Sequence, residues 1–163
     1  PEEYGDYFAW GETSPKAEYS YRNYQHWVDY DGNGYWNFGE YPLNSDISGT
    51  QYDAATANWG GSWRMPTWAE LQELVTACTW TGTSLNGVNG IEVTGPNGNS
   101  IILPAAGFRV CSESWCVGSN GYYWSSTPIQ NKYNDSYFLD FELLGGIWDG
   151  RADGLSVRPV QNK

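Results

Sequence analysis

The chain predicts an α+β domain in which two short helices accompany small antiparallel sheets and long ordered loops, and three observations carry that reading. Thr67 followed by Glu70 is a capping box: the Thr67 hydroxyl takes the Glu70 amide and the Glu70 carboxylate returns to the Thr67 amide, so a helix starts there. Tyr122 to Ser126 and Tyr137 to Leu143 alternate instead with the two-residue period of strands. Twenty glycines, 10 Trp and 13 Tyr against sparse Ile, Leu, Val and Met mean many turns and a core of rings whose N–H and O–H groups need partners.

Taken in order, Tyr7-Phe8-Ala9-Trp10 reads as a strand and Ser14-Pro15 as a turn. Asp53 caps a short helix that runs to Trp59 and stops at Gly60-Gly61. The capping-box helix follows, with Leu71, Leu74, Val75 and Cys78 on one face and Gln72, Glu73 and Thr76 turned outward. It ends before the β-prone run Thr79-Trp80-Thr81. A hairpin then joins Ile91–Thr94 to Ser100–Pro104 through Gly95-Pro96-Asn97-Gly98. Strands at Tyr122–Ser126 and Tyr137–Leu143 place Tyr137, Leu139, Phe141 and Leu143 on one face, and Leu155–Val160 closes the chain.

At 163 residues this is one domain, residues 1–163, with no linker dividing it. A net charge of −11 repels phosphate backbones and anionic headgroups, which argues against nucleic acid and against anionic membranes as partners. No apolar run reaches the ~20 residues of a membrane span. Neither a signal peptide nor an initiating Met is present, so Pro1 reads as a cut end.

Asp29-Tyr30-Asp31-Gly32-Asn33-Gly34-Tyr35-Trp36-Asn37-Phe38-Gly39-Glu40 satisfies the twelve-position calcium-loop pattern. Calcium takes six to eight hard oxygens, and Asp29, Asp31, Asn33, the Tyr35 carbonyl and a bidentate Glu40 supply them. The flanking helices usual for such a loop are not evident, and an Asp/Asn/Gly turn in an acidic chain also produces this pattern by chance. Calcium is therefore the candidate cofactor and no other is indicated.

The order of segments resembles the bacterial branch of the C-type-lectin-like domains. That branch includes the Fibrobacter succinogenes major paralogous domains, the formylglycine-generating-enzyme-like domains and the variable proteins of diversity-generating retroelements. The resemblance rests on Tyr7–Thr13, Asp53–Ala55 through Trp63–Thr67, Leu103–Arg109, Gly121–Ser126 and Ser156–Val160, nearly the whole chain. It implies a further strand ahead of Pro1. It also implies that the loops between the Gly107-Phe108-Arg109 block and the last strand face the ligand, here 110–120, 129–136 and 144–153.

Those loops carry residues suited to recognition. Trp115, Tyr133 and Trp148 offer rigid apolar area, and Glu113, Asn131, Asn134, Asp135, Asp149, Arg151 and Asp153 offer hydrogen bonds. The alternative is that Trp115 and Trp148 fold back as loop anchors. Trp124, inside a strand, reads as core.

Catalysis has little support. His26 lies among aromatic residues with no nucleophile nearby, and no carboxylate pair stands out by its spacing. Cys111 and Cys116 are either a disulfide or two free thiols, and Cys78 reads as a small core hydrophobe. Neither thiol has a cationic neighbour of the kind that lowers a thiol pKa.

The expectation is a non-enzymatic recognition module, secreted or displayed at a bacterial or phage surface, that binds a protein or a glycan through its loops and is diversified by a retroelement. The competing readings are a cysteine-oxidising enzyme of the formylglycine-generating type and a structural pilin-tip or surface domain.

Overall fold

The computed structural model describes residues 3–26, 43–130, 132 and 134–161, and over these the chain is a mixed α+β assembly of two helices and four small antiparallel sheets. Helix α1, Ala54–Trp59, and helix α2, Trp68–Ala77, flank the two-residue strand β1, Trp63–Arg64. Strands β2 (Thr79–Leu85), β3 (Val88–Thr94) and β4 (Ser100–Pro104) form one sheet in that order. Strands β5 (Phe108–Val110) and β6 (Glu113–Trp115) form a second. Strands β7 (Tyr122–Pro128), β8 (Asp135–Asp140) and β9 (Gly146–Asp149) form a third, and β10 (Val160–Gln161) closes back on β1.

Both helix starts form where the caps lie. The Thr67 hydroxyl accepts from the Glu70 amide while the Glu70 carboxylate accepts from the Thr67 amide. Asp53 exceeds an ordinary cap. One oxygen accepts from the Ala55 and Thr56 amides at 2.8 and 3.0 Å, and the other from Gly49 and Met65 at 2.7 and 2.8 Å. A single buried carboxylate thus joins the start of α1 to the loop before it and to the end of β1.

Three apolar clusters hold the described residues together, the smallest formed by Ala9, Tyr19 and Tyr24. In the first, Trp10 and Trp124 are fully buried beside Phe8, Met65, Phe138 and Leu155. Their indole N–H groups donate to the Ser125 and Phe8 carbonyls, each at 2.8 Å, so neither ring leaves a polar atom unpaired. In the second, Leu71, Leu74 and Val75 of α2 and Cys78 at its C-cap pack on Val93, Leu103 and Leu139, which is the stripe expected from the sequence. Burying each such large apolar side chain contributes roughly 1.5–3 kcal/mol.

Several sequence expectations are corrected. Tyr7 to Trp10 is not a strand: only Phe8 forms a β-bridge, with Leu155, and the chain then turns as the Glu12 amide donates to the Ala9 carbonyl. The strand expected over Tyr137–Leu143 ends at Asp140, because that carboxylate accepts from the Glu142 and Leu143 amides and curls the backbone out of the ladder. The segments expected as loops contain strands β6 and β9. The hairpin expected from Ile91 is the second half of a longer meander. Its first turn is Asn86-Gly87, with both residues at positive φ between the paired Leu85 and Val88.

The cysteine alternatives also separate. Cys111 begins the turn of the β5–β6 hairpin, and Cys116 follows the far end of β6. Three strand residues at about 3.4 Å each set them roughly 10 Å apart along the strand, beyond the ~4.4–6.8 Å that a disulfide spans between Cα atoms. Both are free and exposed.

Candidate functional site

Long-range pairing brings distant segments to one place. Tyr19 exchanges both backbone hydrogen bonds with Cys111, at 2.8 and 2.6 Å, and Arg109 does the same with Gly154, at 2.8 and 2.9 Å. The segment around Tyr19, the turn of the β5–β6 hairpin and the segment 150–153 therefore meet along one line. Between them lies a cleft of about 230 Å³. It is lined by Tyr19, Tyr21, Tyr24, Val110, Cys111 and Ala152, with Ser20, Asn134 and Asp153 contributing polar groups.

The rings are held from behind. The Tyr19 hydroxyl donates to the Tyr7 carbonyl and accepts from the Lys16 amide, and the Tyr24 hydroxyl donates to the Trp10 carbonyl at 2.7 Å. Burial pushes the Tyr19 phenol above its ordinary pKa, so it stays protonated and keeps donating. Arg109 supports Tyr19: its guanidinium lies 5.4 Å from the Tyr19 ring centroid and donates to the carbonyls of Lys16, Ala17 and Ser112. Lys16 lies over Tyr19 and Tyr24 at 5.5 and 6.0 Å, and Arg22 over Tyr21 at 5.8 Å.

The residues expected to bind ligand divide into distinct groups. Asp153 and Asn134 line the cleft. Glu113 and Trp115 are exposed on β6, where Trp115 keeps 51% of its surface and pairs with Phe108, so they form a separate face outside the cleft. Asp135 is buried, its carboxylate 3.4 Å from Lys132. Arg151 also lines the cleft but is 2% exposed. It donates to the carbonyls of Asp135, Leu43 and Lys132.

Arg151 and Asp135 therefore face inward, correcting the expectation that they offer hydrogen bonds at an open loop surface. A guanidinium with five donors suits a junction where several carbonyls converge. Trp148 and Asp149 lie on β9 opposite Ser136 and Asp135, and their side chains fall outside the described set. Asn131 and Tyr133 lie outside the described residues, as do Asp29, Asp31, Asn33, Tyr35 and Glu40 of the calcium-loop pattern.

Sequence reasoning missed the tyrosine wall. The available signal was Tyr19-Ser20-Tyr21-Arg22-Asn23-Tyr24, a dense run of the residue types that recognition surfaces use.

His26 sits with Nε2 2.9 Å from the Gly11 carbonyl oxygen and packs edge-on against Tyr24 and Tyr52. Among the described residues no three His, Cys, Asp or Glu side chains gather as metal ligands, and no helix is long and apolar enough to cross a membrane. No family model, curated protein or solved structure matches the chain.

Proposed function

We propose that this chain is a recognition module of the C-type-lectin-like kind, which binds a protein or a glycan at the cleft walled by Tyr19, Tyr21 and Tyr24. One observation carries the reading. Four segments far apart in sequence converge on a concave aromatic surface, while Trp10, Trp124 and Arg151 are buried and hydrogen-bonded. A stiff frame of that kind lets surface residues such as Tyr21, Glu113 and Trp115 vary without loss of the fold. The order of segments supports the family assignment, and with it export or surface display and diversification by a retroelement. The cysteine-oxidising alternative needs two thiols within reach of each other, and the extended β6 strand between Cys111 and Cys116 argues against it.

The test is a screen of the wild-type chain on an immobilised glycan array and a displayed random-peptide library, repeated with Tyr21→Ala and Trp115→Ala. The expected result is a set of hits lost on Tyr21→Ala with the melting temperature unchanged. Hits indifferent to Tyr21→Ala, or none on either surface, overturn the proposal.

A further inference from the structure

The proposal that the cleft seats a ligand leaves the ligand's chemistry open between a polyol and a polypeptide, and the disposition of the ring atoms discriminates between them. A sugar is held by side chains that exchange hydrogen bonds with its hydroxyls while a ring stacks on its C–H face. The two buried tyrosines of the wall have already spent their hydroxyls on the protein itself, Tyr19 on the Tyr7 carbonyl and the Lys16 amide, Tyr24 on the Trp10 carbonyl. They show the cleft carbon. Cys111 and Ala152 beside them add no strong donor or acceptor through their side chains, and the polar residues of the lining, Ser20, Asn134 and Asp153, leave its surface mostly apolar.

A cationic ligand is disfavoured for a different reason. Aromatic cages select cations by leaving ring faces open to them. Here the rings already carry the protein's own cations: Lys16 and Arg109 over Tyr19, Lys16 over Tyr24, Arg22 over Tyr21. A further positive charge would meet like charge within the same few ångströms.

Size sets the scale. About 230 Å³ is below the roughly 300–1,000 Å³ of sites that enclose a drug-sized molecule. It suits one side chain, entered past Tyr21, which keeps 43% of its surface exposed at the mouth. Energetically dominant positions of protein interfaces are of this form, a single apolar anchor in a desolvated pocket ringed by polar groups. Arg22, exposed beside Tyr21 in a chain of net charge −11, marks the rim as the place where an acidic neighbour of that anchor is welcome.

Building on the recognition reading, we infer that the cleft takes one uncharged aromatic or aliphatic side chain of a polypeptide partner, with acidic residues beside it, and not a sugar or a cation. The test uses the full chain, isotopically labelled, and follows its backbone amides by NMR against three small probes at equal concentration: p-cresol, methyl α-D-glucopyranoside and tetramethylammonium. The expected result is saturable shifts with p-cresol at Tyr19–Tyr24, Cys111 and Ala152–Asp153, weakened at least fivefold by Tyr21→Ala, and no saturable shift with the other two. Saturation by the glucoside or by tetramethylammonium in place of p-cresol overturns this inference and leaves the recognition reading standing. Silence at these amides with all three probes, or a p-cresol response indifferent to Tyr21→Ala, overturns both.

Discussion

The Arg151 guanidinium lies 4.3 Å from the centroid of the Trp10 ring, and both groups are buried. The same guanidinium donates to carbonyls at Leu43, Lys132 and Asp135, and the Arg151 carbonyl accepts from the Trp10 amide. Three separate stretches of chain, at Trp10, at Leu43 and from Lys132 to Asp135, are tied to one side chain. Arg151→Ala strands these carbonyls and is expected to cost about 3 kcal/mol, or roughly 6–12 °C in melting temperature for a chain of this size. Arg151→Lys recovers only part, because an ammonium cannot match the planar fork. A Lys variant as stable as wild type in urea titration would refute this account.

Asp53 serves four backbone amides with one carboxylate. An ordinary cap is worth about 1 kcal/mol, so Asp53→Ala is expected to exceed that, near 3 kcal/mol, since the Gly49 and Met65 amides lose their acceptor as well. Asp53→Asn keeps one acceptor and opposes an amide donor to the other pair. It should fall between the two in chemical denaturation, and a loss no larger than a simple cap would show that the Gly49 and Met65 bonds contribute little.

Arg64 grips Glu70 through two N–H···O bonds of 2.8 and 2.6 Å, and that pairing, with the Thr67 cap, holds the Glu70 carboxyl down to about 2 from its ordinary 4.5. A lowered folded pKa adds stability that is present above pH 4.5 and disappears as pH falls toward 2. The Glu70 side chain is 38% exposed, so solvent screening reduces the contribution to about 1 kcal/mol. Glu70→Gln should therefore be less stable than wild type at pH 6, and the two should converge at pH 2. A gap in urea midpoint that is constant across this range would exclude the pairing as its source.

Gly107 has φ +65°, and a methyl group there would run into backbone atoms of Trp115, Cys116 and Val117. Both the left-handed conformation and the close approach of the β6 end require glycine. Gly107→Ala is expected to cost about 3 kcal/mol and to displace the β5–β6 hairpin, seen as lost amide protection at Phe108–Val110. Gly5→Ala, also at positive φ but facing open space, should cost far less.

The spacing of Asp29, Asp31, Asn33, Tyr35 and Glu40 predicts that calcium raises the melting temperature and that chelator or Glu40→Ala removes the increment. Melting curves unchanged by calcium and chelator would reject the loop as a metal site.

What the sequence determined by itself are the features whose partners lie within a few residues. The Thr67–Glu70 box, the Asp53 cap, the Gly60 stop and the α2 stripe all follow from residue type and spacing, because their hydrogen bonds close over two to four residues whatever the rest of the chain does. Asn86-Gly87 belongs to the same class: a two-residue turn at positive φ between the paired Leu85 and Val88 follows from adjacent residue types.

Only the tertiary structure decided which loop residues face inward. Arg151 meets Trp10 and the carbonyl of Leu43, 108 residues away, and is buried, and no local pattern distinguishes it from Asp153, two residues on, which stays partly exposed. The tyrosine wall likewise exists because Tyr19 pairs with Cys111 and Arg109 with Gly154. Local bonds are set by composition, whereas pairing across the chain depends on which buried surfaces close together, and that is a property of the packed whole.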